Sequence, residues 1–459
     1  MERVLSSELS SHTGERIMMA GWMHRIRRLG SGMVFVHLRD RSGICQIVVE
    51  TPEAVASIDG LLVESVIQVE GTVVAEPQAA GGYELHDPSF TVLSPVTEAL
   101  PFPINKPVIN AHLDTFLDNA VVGLRAPSKQ AVFKLSAAAA HGFREVLAGK
   151  GFTEVATPKI IGTASESGAN VFAIDYFGKQ AFLAQSPQFY KQMMVGVFER
   201  VYEVAPVFRA EPHQTIRHLN EYVSMDAEMG FIKDHTTVMV LLTEVIKGIL
   251  DYLDNHCTKE LELLKVEMPL RPTCSSISAS GLNLLASLES TDKSVVPDAF
   301  PHVYFPDAQQ WIFEHHGEDC RGEPDLAPQH EKWLGEWAKE TFQSDFLFVT
   351  GYPMVKRPFY TAPNPDDPKY SNSFDLLFRG TELVTGGQRL NKFEDYARAL
   401  ESRGMTQEAV AGYLETFRFG MPPHGGFAIG LERFIMQLTG LTNLREAALF
   451  PRDMERLQP

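Results

Sequence analysis

Apolar and polar positions alternate over residues 201–207 and again over 222–228 of the chain. A period of two predicts a pair of half-buried strands. The piece between them, within "VFRAEPHQTIRHLNEYVSMDAEM" (Val207 to Met229), is polar and interrupted by Pro212, which predicts a loop. Alternation also runs through "GMVFVHLRDRSGICQIVVE" (Gly32 to Glu50), where a polar turn with Asp40 and Gly43 separates two apolar runs. Further strand-like runs follow at Val63 to Val74 and Phe90 to Leu93. Short strands with small-residue turns over residues 15–97 predict a small β-barrel. "LPFPINKP" (Leu100 to Pro107) reads as a linker. The period then lengthens. Pro127 opens "SKQAVFKLSAAAAHGFREVLAGKG", which predicts a helix ending at Gly149 and Gly151. "VMVLLTEVIKGIL" (Val238 to Leu250) is an amphipathic helix, broken by Glu244 and Lys247 and too short to cross a bilayer. Strands and helices mix from residue 126 onward. Residues 253–345 carry the weakest pattern and read as an insertion.

Composition narrows the class. The chain has 459 residues, 44% hydrophobic and 22% charged, ordinary for a soluble protein of two or three domains. "MERVLSSELS" has no apolar segment of the kind a secretory signal carries. Cys45, Cys257, Cys274 and Cys320 are widely spaced without a CxxC pair. Reduced thiols in a cytoplasmic enzyme are the simplest reading. "HHGEDC" (His315 to Cys320) is a weak metal candidate with no second cluster. The net charge of -17 argues against nonspecific nucleic-acid binding over the whole surface, although "HRIRR" (His24 to Arg28) is a local basic patch. The polar loop adds Arg209, Arg217, His213 and His218. Cations on a rigid strand pair suit a polyanion such as a nucleotide triphosphate; a solvated hairpin tip is the plain alternative.

Three segments decide between these. "GKGFTEVATPKI" (Gly149 to Ile160), the loop with Phe208, Arg209 and Glu211, and "GGFAIGLERFIM" (Gly425 to Met436) with Arg433 resemble, in this order, the three motifs of class II aminoacyl-tRNA synthetases. "AFLAQSPQFYKQM", "FDLLFRGTELVTGGQRL", "FGMPPHGG" and "TNLREAALFPRD" resemble the aspartyl enzymes of the archaeal type. The resemblance implies an α+β chain: an anticodon-binding OB-fold at 1–104, a hinge at 105–125, and a class II catalytic domain at 126–459 on an antiparallel sheet flanked by helices. It implies a homodimer joined through the first motif, with ATP, L-aspartate, Mg²⁺ and tRNA(Asp) as substrates and cofactor, tRNA(Asn) as a further substrate, and no membrane.

The resemblance also implies roles. Arg209 and Arg433 are the catalytic cations, with Arg209 on the α-phosphate. Ala210, Glu211, Arg217, His218, Leu219, Glu382, Gly430, Leu431 and Glu432 complete the ATP site. Glu382 and Thr385, a carboxylate and a hydroxyl three residues apart, suit Mg²⁺, which keeps phosphate and water ligands; the family commonly has serine at 385. Lys191 and Arg389 face the aspartate side chain, with Glu166, Gln188 and Asp226 near its ammonium, and Arg209 and Thr385 close by. Phe208 falls on the opposite face from Arg209 and reads as core. Tyr360 reads equally as a pocket lid or core, and His424 as a substrate or structural histidine. Rival readings are an asparaginyl enzyme, a barrel-less amidating paralogue and an inactive RNA-binding protein. Lys191 speaks against the first, the barrel against the second, and the intact Arg209, Glu382, Arg389 and Arg433 against the third.

In the barrel, Phe35 and Gln46 match positions that, in the family resembled, stack on and hydrogen-bond the central anticodon base, with plain barrel core the alternative for Phe35. His24 stands where aspartate-restricted forms tend to carry tryptophan and relaxed forms histidine. Ala80 stands where relaxed forms tend to carry proline. Phe116 and Ala120 stand where the family usually has arginine near the hinge.

Overall fold

The computed structural model describes residues 2–29, 32–106, 108–164, 170–212, 215–277 and 296–458. The chain divides into two compact units, Met1–Ala126 and Pro127–Pro459.

The first unit is a closed five-stranded barrel, order β1-β2-β3-β5-β4, built from β1 (Arg16–Leu29), β2 (Met33–Arg39), β3 (Ile44–Val49), β4 (Val66–Ala75) and β5 (Tyr83–Ser94). Alternation sends Met19, Met23, Val36, Leu38, Ile47, Ile67 and Leu85 inward. The β2–β3 turn is set by Asp40, whose Oδ1 accepts from the amides of Ser42 (2.7 Å) and Gly43 (3.0 Å). Beyond the barrel, Phe116 is buried with Phe102, Ile104, Leu117 and Ala126 in a small apolar cluster, and Ala120 is buried as well. The two arginines expected of the family are thus replaced by packing.

The second unit centres on an eight-stranded sheet, order β12-β13-β14-β15-β16-β11-β10-β6. Its strands are β6 (Thr153–Glu154), β10 (Arg200–Phe208), β11 (Glu221–Gly230), β12 (His302–Tyr304), β13 (Phe346–Thr350), β14 (Ser373–Phe378), β15 (Thr381–Gln388) and β16 (His424–Gly430). Neighbours are antiparallel except β12 with β13 and β10 with β6. A separate small sheet holds β7 (Ile160–Ile161), β8 (Ala173–Tyr176) and β9 (Lys179–Leu183). Met225, Ala227 and Met229 of β11, with Phe427 and Ile429 of β16, face the main core. That core is shared with the helices Pro127–Gly149, His235–His256 and Leu431–Thr439. Alternation therefore turns Ser224, Asp226 and Glu228 to the opposite face, and that face carries the site. None of the described helices is long and apolar enough to cross a membrane.

Position 253, where the insertion was expected to begin, lies inside the helix His235–His256. The stretch supplies the edge strand β12 and the helices Phe305–His316 and Pro328–Phe342. Its apolar residues, among them Trp311, Ile312, Leu334 and Trp337, pack with Leu347, Val349 and Leu377 of the sheet. The metal candidate dissolves there: His315 Nδ1 bonds its own helix at Trp311 O (2.9 Å), Cys320 is a buried free thiol, and no described group of three or more His, Cys, Asp or Glu can hold a metal.

The helix Pro328–Phe342 meets the β14–β15 turn backbone to backbone. A Cβ on Gly335 would lie 2.4 Å from Gly380 Cα, and one on Gly380, whose φ is +69°, would lie 2.8 Å from Lys332 Cα. Gly335→Ala is expected to cost about 1–3 kcal/mol by overpacking and to lower the unfolding midpoint by several degrees. An unchanged midpoint in a thermal melt would refute this close contact.

Candidate active site

The β10–β11 hairpin brings the expected loop to the rim of a cavity of about 340 Å³, within the usual range for a small-molecule site. Gln188, Lys191, Arg209, Glu211, Arg217, His218, Leu219, Glu382, Thr385, Arg389, Gly430, Glu432 and Arg433 all line it. Residues that are distant in sequence converge because β11, β15 and β16 are neighbours in the sheet.

The floor is ionic and dry. Lys191 and Glu228 have 1% and 0% of their side chains exposed. Lys191 Nζ reaches Asp226 Oδ1 at 2.9 Å, Phe427 O at 3.1 Å and Glu228 Oε2 at 3.3 Å. Arg389 Nε donates to Glu228 Oε1 at 2.9 Å and its Nη2 to Gly426 O at 3.0 Å. Burial pushes the Glu228 carboxyl up, but Arg389 and Lys191 outweigh it and hold the group below the usual carboxylate range. Gly426 makes room for this cluster, since a Cβ there would lie 2.2 Å from Glu228 Oε2. Ser224 Oγ donates to Asp226. The amide nitrogen of Gln188 is buried and has no hydrogen-bond partner among the described residues, so a donor is left to a ligand. Tyr360 is buried, lines the cavity, and lies with its ring centroid 5.5 Å from the Arg389 guanidinium.

The loop wall is cationic. Arg209 lies 5.7 Å from the centroid of the Tyr222 ring. Asn220 fastens the loop by donating to Arg209 O (2.7 Å) and Glu211 O (3.3 Å). His218 Nε2 lies 3.5 Å from Glu211 Oε2.

Facing it, the β14–β15 wall mixes signs. Thr385 Oγ1 donates to Glu382 Oε1 (3.3 Å), and Arg433 Nη1 to Glu382 O (2.9 Å). Asp375 sits opposite Thr385 in the ladder with Arg357 Nη2 at 3.0 Å. Burial raises Asp375 to about 6 against the pull of Arg357, with the Glu382 charge adding to the rise. Burial and then Glu382 raise Glu331 to about 7. Hard oxygen donors whose crowded charge a cation would relieve fit a divalent ion that keeps other ligands from phosphate and water.

Several expected residues stand elsewhere. Leu431 is in the core, because the strand-to-helix step after Gly430 turns it inward. Ala210 lies outside the cavity lining, its amide donating to Asn170 O (3.1 Å). Glu432 does line the cavity, but both its oxygens accept from Val223 N (3.0 and 3.1 Å), so it ties the helix start to β11; burial raises its carboxyl to about 7. Phe208 is only half-buried, and Val207 takes the core position. His424 is fully buried, with its ring on Pro422 O (3.0 Å) and Gln192 Oε1 (3.1 Å), as a structural histidine would be. Glu166 and His213 lie outside the described residues. Sequence reasoning missed Glu228, Arg357, Asp375 and Tyr222. The polar register of β11 was the available signal for Glu228.

In the barrel unit, Phe35 and Gln46 are half-buried on the outer face of β2 and β3. Gln46 Nε2 donates to Glu84 Oε2 (2.8 Å). Ladder partners place Arg25, His37, Gln46 and Glu84 in one row. The turn Ala80–Gly82, with Ala80 exposed, adjoins its far end. His24 sits at a bulge in β1 and is only 7% exposed, with Nδ1 3.2 Å from Glu64 Oε1. It is sunk in the barrel rim rather than displayed on the open face.

Two family models match the chain: "tRNA synthetases class II (D, K and N)" over residues 112–454 and "OB-fold nucleic acid binding domain" over 17–93. The chain is 43% identical to the "Aspartate--tRNA(Asp/Asn) ligase" of Thermus thermophilus, covering 100% of each. It is 38% identical to the "Aspartate--tRNA(Asp) ligase" of Pyrococcus horikoshii, covering 99% of each. Among solved structures, the asparaginyl-tRNA synthetase of Pyrococcus horikoshii complexed with asparaginyl-adenylate superposes with a TM-score of 0.87 at 29% identity, covering 100% of both chains. The fold, the convergence of the three motifs on one cavity and these matches together make the chain a member of the class II tRNA synthetases (D, K and N).

Proposed function

We propose that the enzyme activates L-aspartate with ATP and transfers it to tRNA(Asp) and to tRNA(Asn). The observation that carries the amino acid assignment is the floor, where two buried cations, Lys191 and Arg389, stand over Glu228. An asparagine side chain gains little from two ammonium-like charges, whereas a carboxylate gains much. In the first step an aspartate α-carboxylate oxygen attacks the ATP α-phosphorus and pyrophosphate leaves. Arg209 offsets the charge that grows on the α-phosphate, and Arg217 and Arg433 hold the outer phosphates and the adenine face. Glu211 accepts from the adenine amino group, and Gln188 helps to orient the amino acid. Glu382 and Thr385 would hold Mg²⁺, which when bound neutralises phosphate charge. In the second step a hydroxyl of the terminal tRNA ribose attacks the adenylate carbonyl and AMP leaves. The protein contributes mainly position and fixed charge.

A homodimer is part of the reading. Val197, Phe198, Phe231 and Phe419 are exposed on segments tied by Gly230 N to Glu199 O (2.8 Å) and Ile232 N to Pro423 O (3.3 Å). They adjoin the edge strand β6 of the first motif through β10. An apolar patch of that kind is suited to a second copy.

The tRNA reading rests on His24. Glu64 takes up Nδ1 of His24 at 3.2 Å, which leaves the Nε2 edge of the ring, and a histidine nitrogen can donate or accept. Cytosine and uracil both carry donors and acceptors on their pairing edges, so such a group can bond either pyrimidine.

Three outcomes are expected. Arg209→Ala should slow aspartate-dependent ATP–pyrophosphate exchange by about 10²–10³, roughly 3–4 kcal/mol, with the fold intact. Near-normal exchange would remove its role. Lys191→Met should cost aspartate activation far more than ATP binding, because such polar sites discriminate by about 10⁴ or more; if exchange with aspartate survives within a few fold, another group reads the side chain. Finally, purified tRNA(Asp) and tRNA(Asn) at matched concentration should both be aspartylated. A preference beyond about 100-fold, some 2.7 kcal/mol at roughly 1.4 kcal/mol per decade, would mean the barrel discriminates.

A further inference from the structure

Residue 382 is fixed at three points. Thr385 donates to its carboxylate, Arg433 to its carbonyl, and its own amide donates to Glu331 Oε2 at 3.1 Å. The first two partners line the cavity; Glu331 does not. It sits behind the wall, in the first turn of the helix Pro328–Phe342. Two independent features make this contact more than a passing one. The ladder between β14 and β15 shifts register between Leu376 and Leu377, opposite Glu382. A bulge there interrupts regular pairing, and Glu331 supplies an acceptor to an amide at that point. The helix also cannot drift, because Gly335 and Gly380 meet without side chains between them.

We propose that Glu331 is a positioning residue for Glu382. It closes the bulge by accepting from the 382 amide, and its charge stands behind the Glu382 carboxylate. The divalent cation that accompanies ATP then meets a wall more negative than Glu382 alone could make it. The inference rests on the reading of Glu382 as the cation-holding carboxylate. It gives the stretch around residues 253–345 a part in the reaction that its sequence pattern does not advertise. The route is electrostatic and indirect, as for carboxylates that support metal ligands elsewhere.

The test is equilibrium ATP binding by the full-length protein, without aspartate or tRNA, across a magnesium titration. Glu331→Gln keeps an oxygen for the 382 amide and removes the charge. It should raise the magnesium midpoint for ATP binding about tenfold and leave the unfolding midpoint of the ligand-free protein unchanged. Glu331→Ala should show the same magnesium shift and also melt earlier, because the amide loses its acceptor. Glu382→Gln is the control for the underlying reading. If it shifts the titration while Glu331→Gln behaves as wild type, Glu331 is a structural strut and the inference is overturned. If neither shifts, the ligand reading of Glu382 fails and takes the inference with it. Should Glu331→Gln not fold, Glu331→Asp, which retracts the carboxylate by one methylene, is read instead: a raised magnesium midpoint supports the role, and a wild-type midpoint overturns it.

Discussion

The catalytic unit is organised around a carboxylate with no access to water. Glu228 lies under Lys191 and Arg389, and such a charge is tolerated only when it is paired and hydrogen-bonded. The chain meets that demand from four directions. The alternation of β11 aims the side chain at the pocket face. The helix Gln188–Phe198 delivers Lys191, the end of β15 leads into Arg389, and Gly426 leaves space where any side chain would strike the carboxylate. Removing one member would strand the others, so the cluster is all or nothing. Its rigidity is also its use. On the proposed reading, a substrate carboxylate above Lys191 and Arg389 would meet donors already in place, and the reorganisation a flexible site would require has been met during folding.

How much of this could be read beforehand follows from the range of the interactions. The two strands around the Arg209 loop, the helix opening at Pro127 and the strand-to-helix step at Gly430 are local patterns, and all three appear in the structure at those places. The stretch 253–345 resisted because its signals are short or absent. β12 has three residues, and the helices Phe305–His316 and Pro328–Phe342 start without a side-chain cap from the preceding residue, marked only by Pro306 and Pro328 and an acid in the first turn. Arg357, Asp375 and Glu331 were invisible for a different reason: each matters through a partner distant in sequence, and no spacing rule links them. Leu431 and Ala210 were implied by the resemblance alone, yet Leu431 precedes Arg433 by two in a helix, a spacing that puts the two side chains on different faces, and Ala210 follows Arg209 in an irregular loop. The burial of His24 was not legible either, because a bulge in β1 adds a residue and turns it into the rim beside Glu64.

Charge is distributed unevenly, and the unevenness has a purpose that net charge hides. A chain with a formal charge of -17 builds a pocket around Arg209, Arg217, Arg357, Arg389 and Arg433. Most of these are tethered. Arg433 lies 3.7 Å from Glu382, Arg357 lies 3.0 Å from Asp375, and Arg389 is held by Glu228. Bare arginines would bind triphosphate strongly, but they would hold the released pyrophosphate as well. Binding that is equal in ground state and transition state does not raise the rate of the chemical step. Carboxylates placed beside the arginines lower the attraction for any anion while keeping each guanidinium in a fixed orientation. In the proposed reaction this balance leaves the largest benefit for the moment at which charge concentrates on the α-phosphate, the role proposed for Arg209 on its loop fastened by Asn220. Paired charges of opposite sign therefore serve the turnover of the site as much as its affinity.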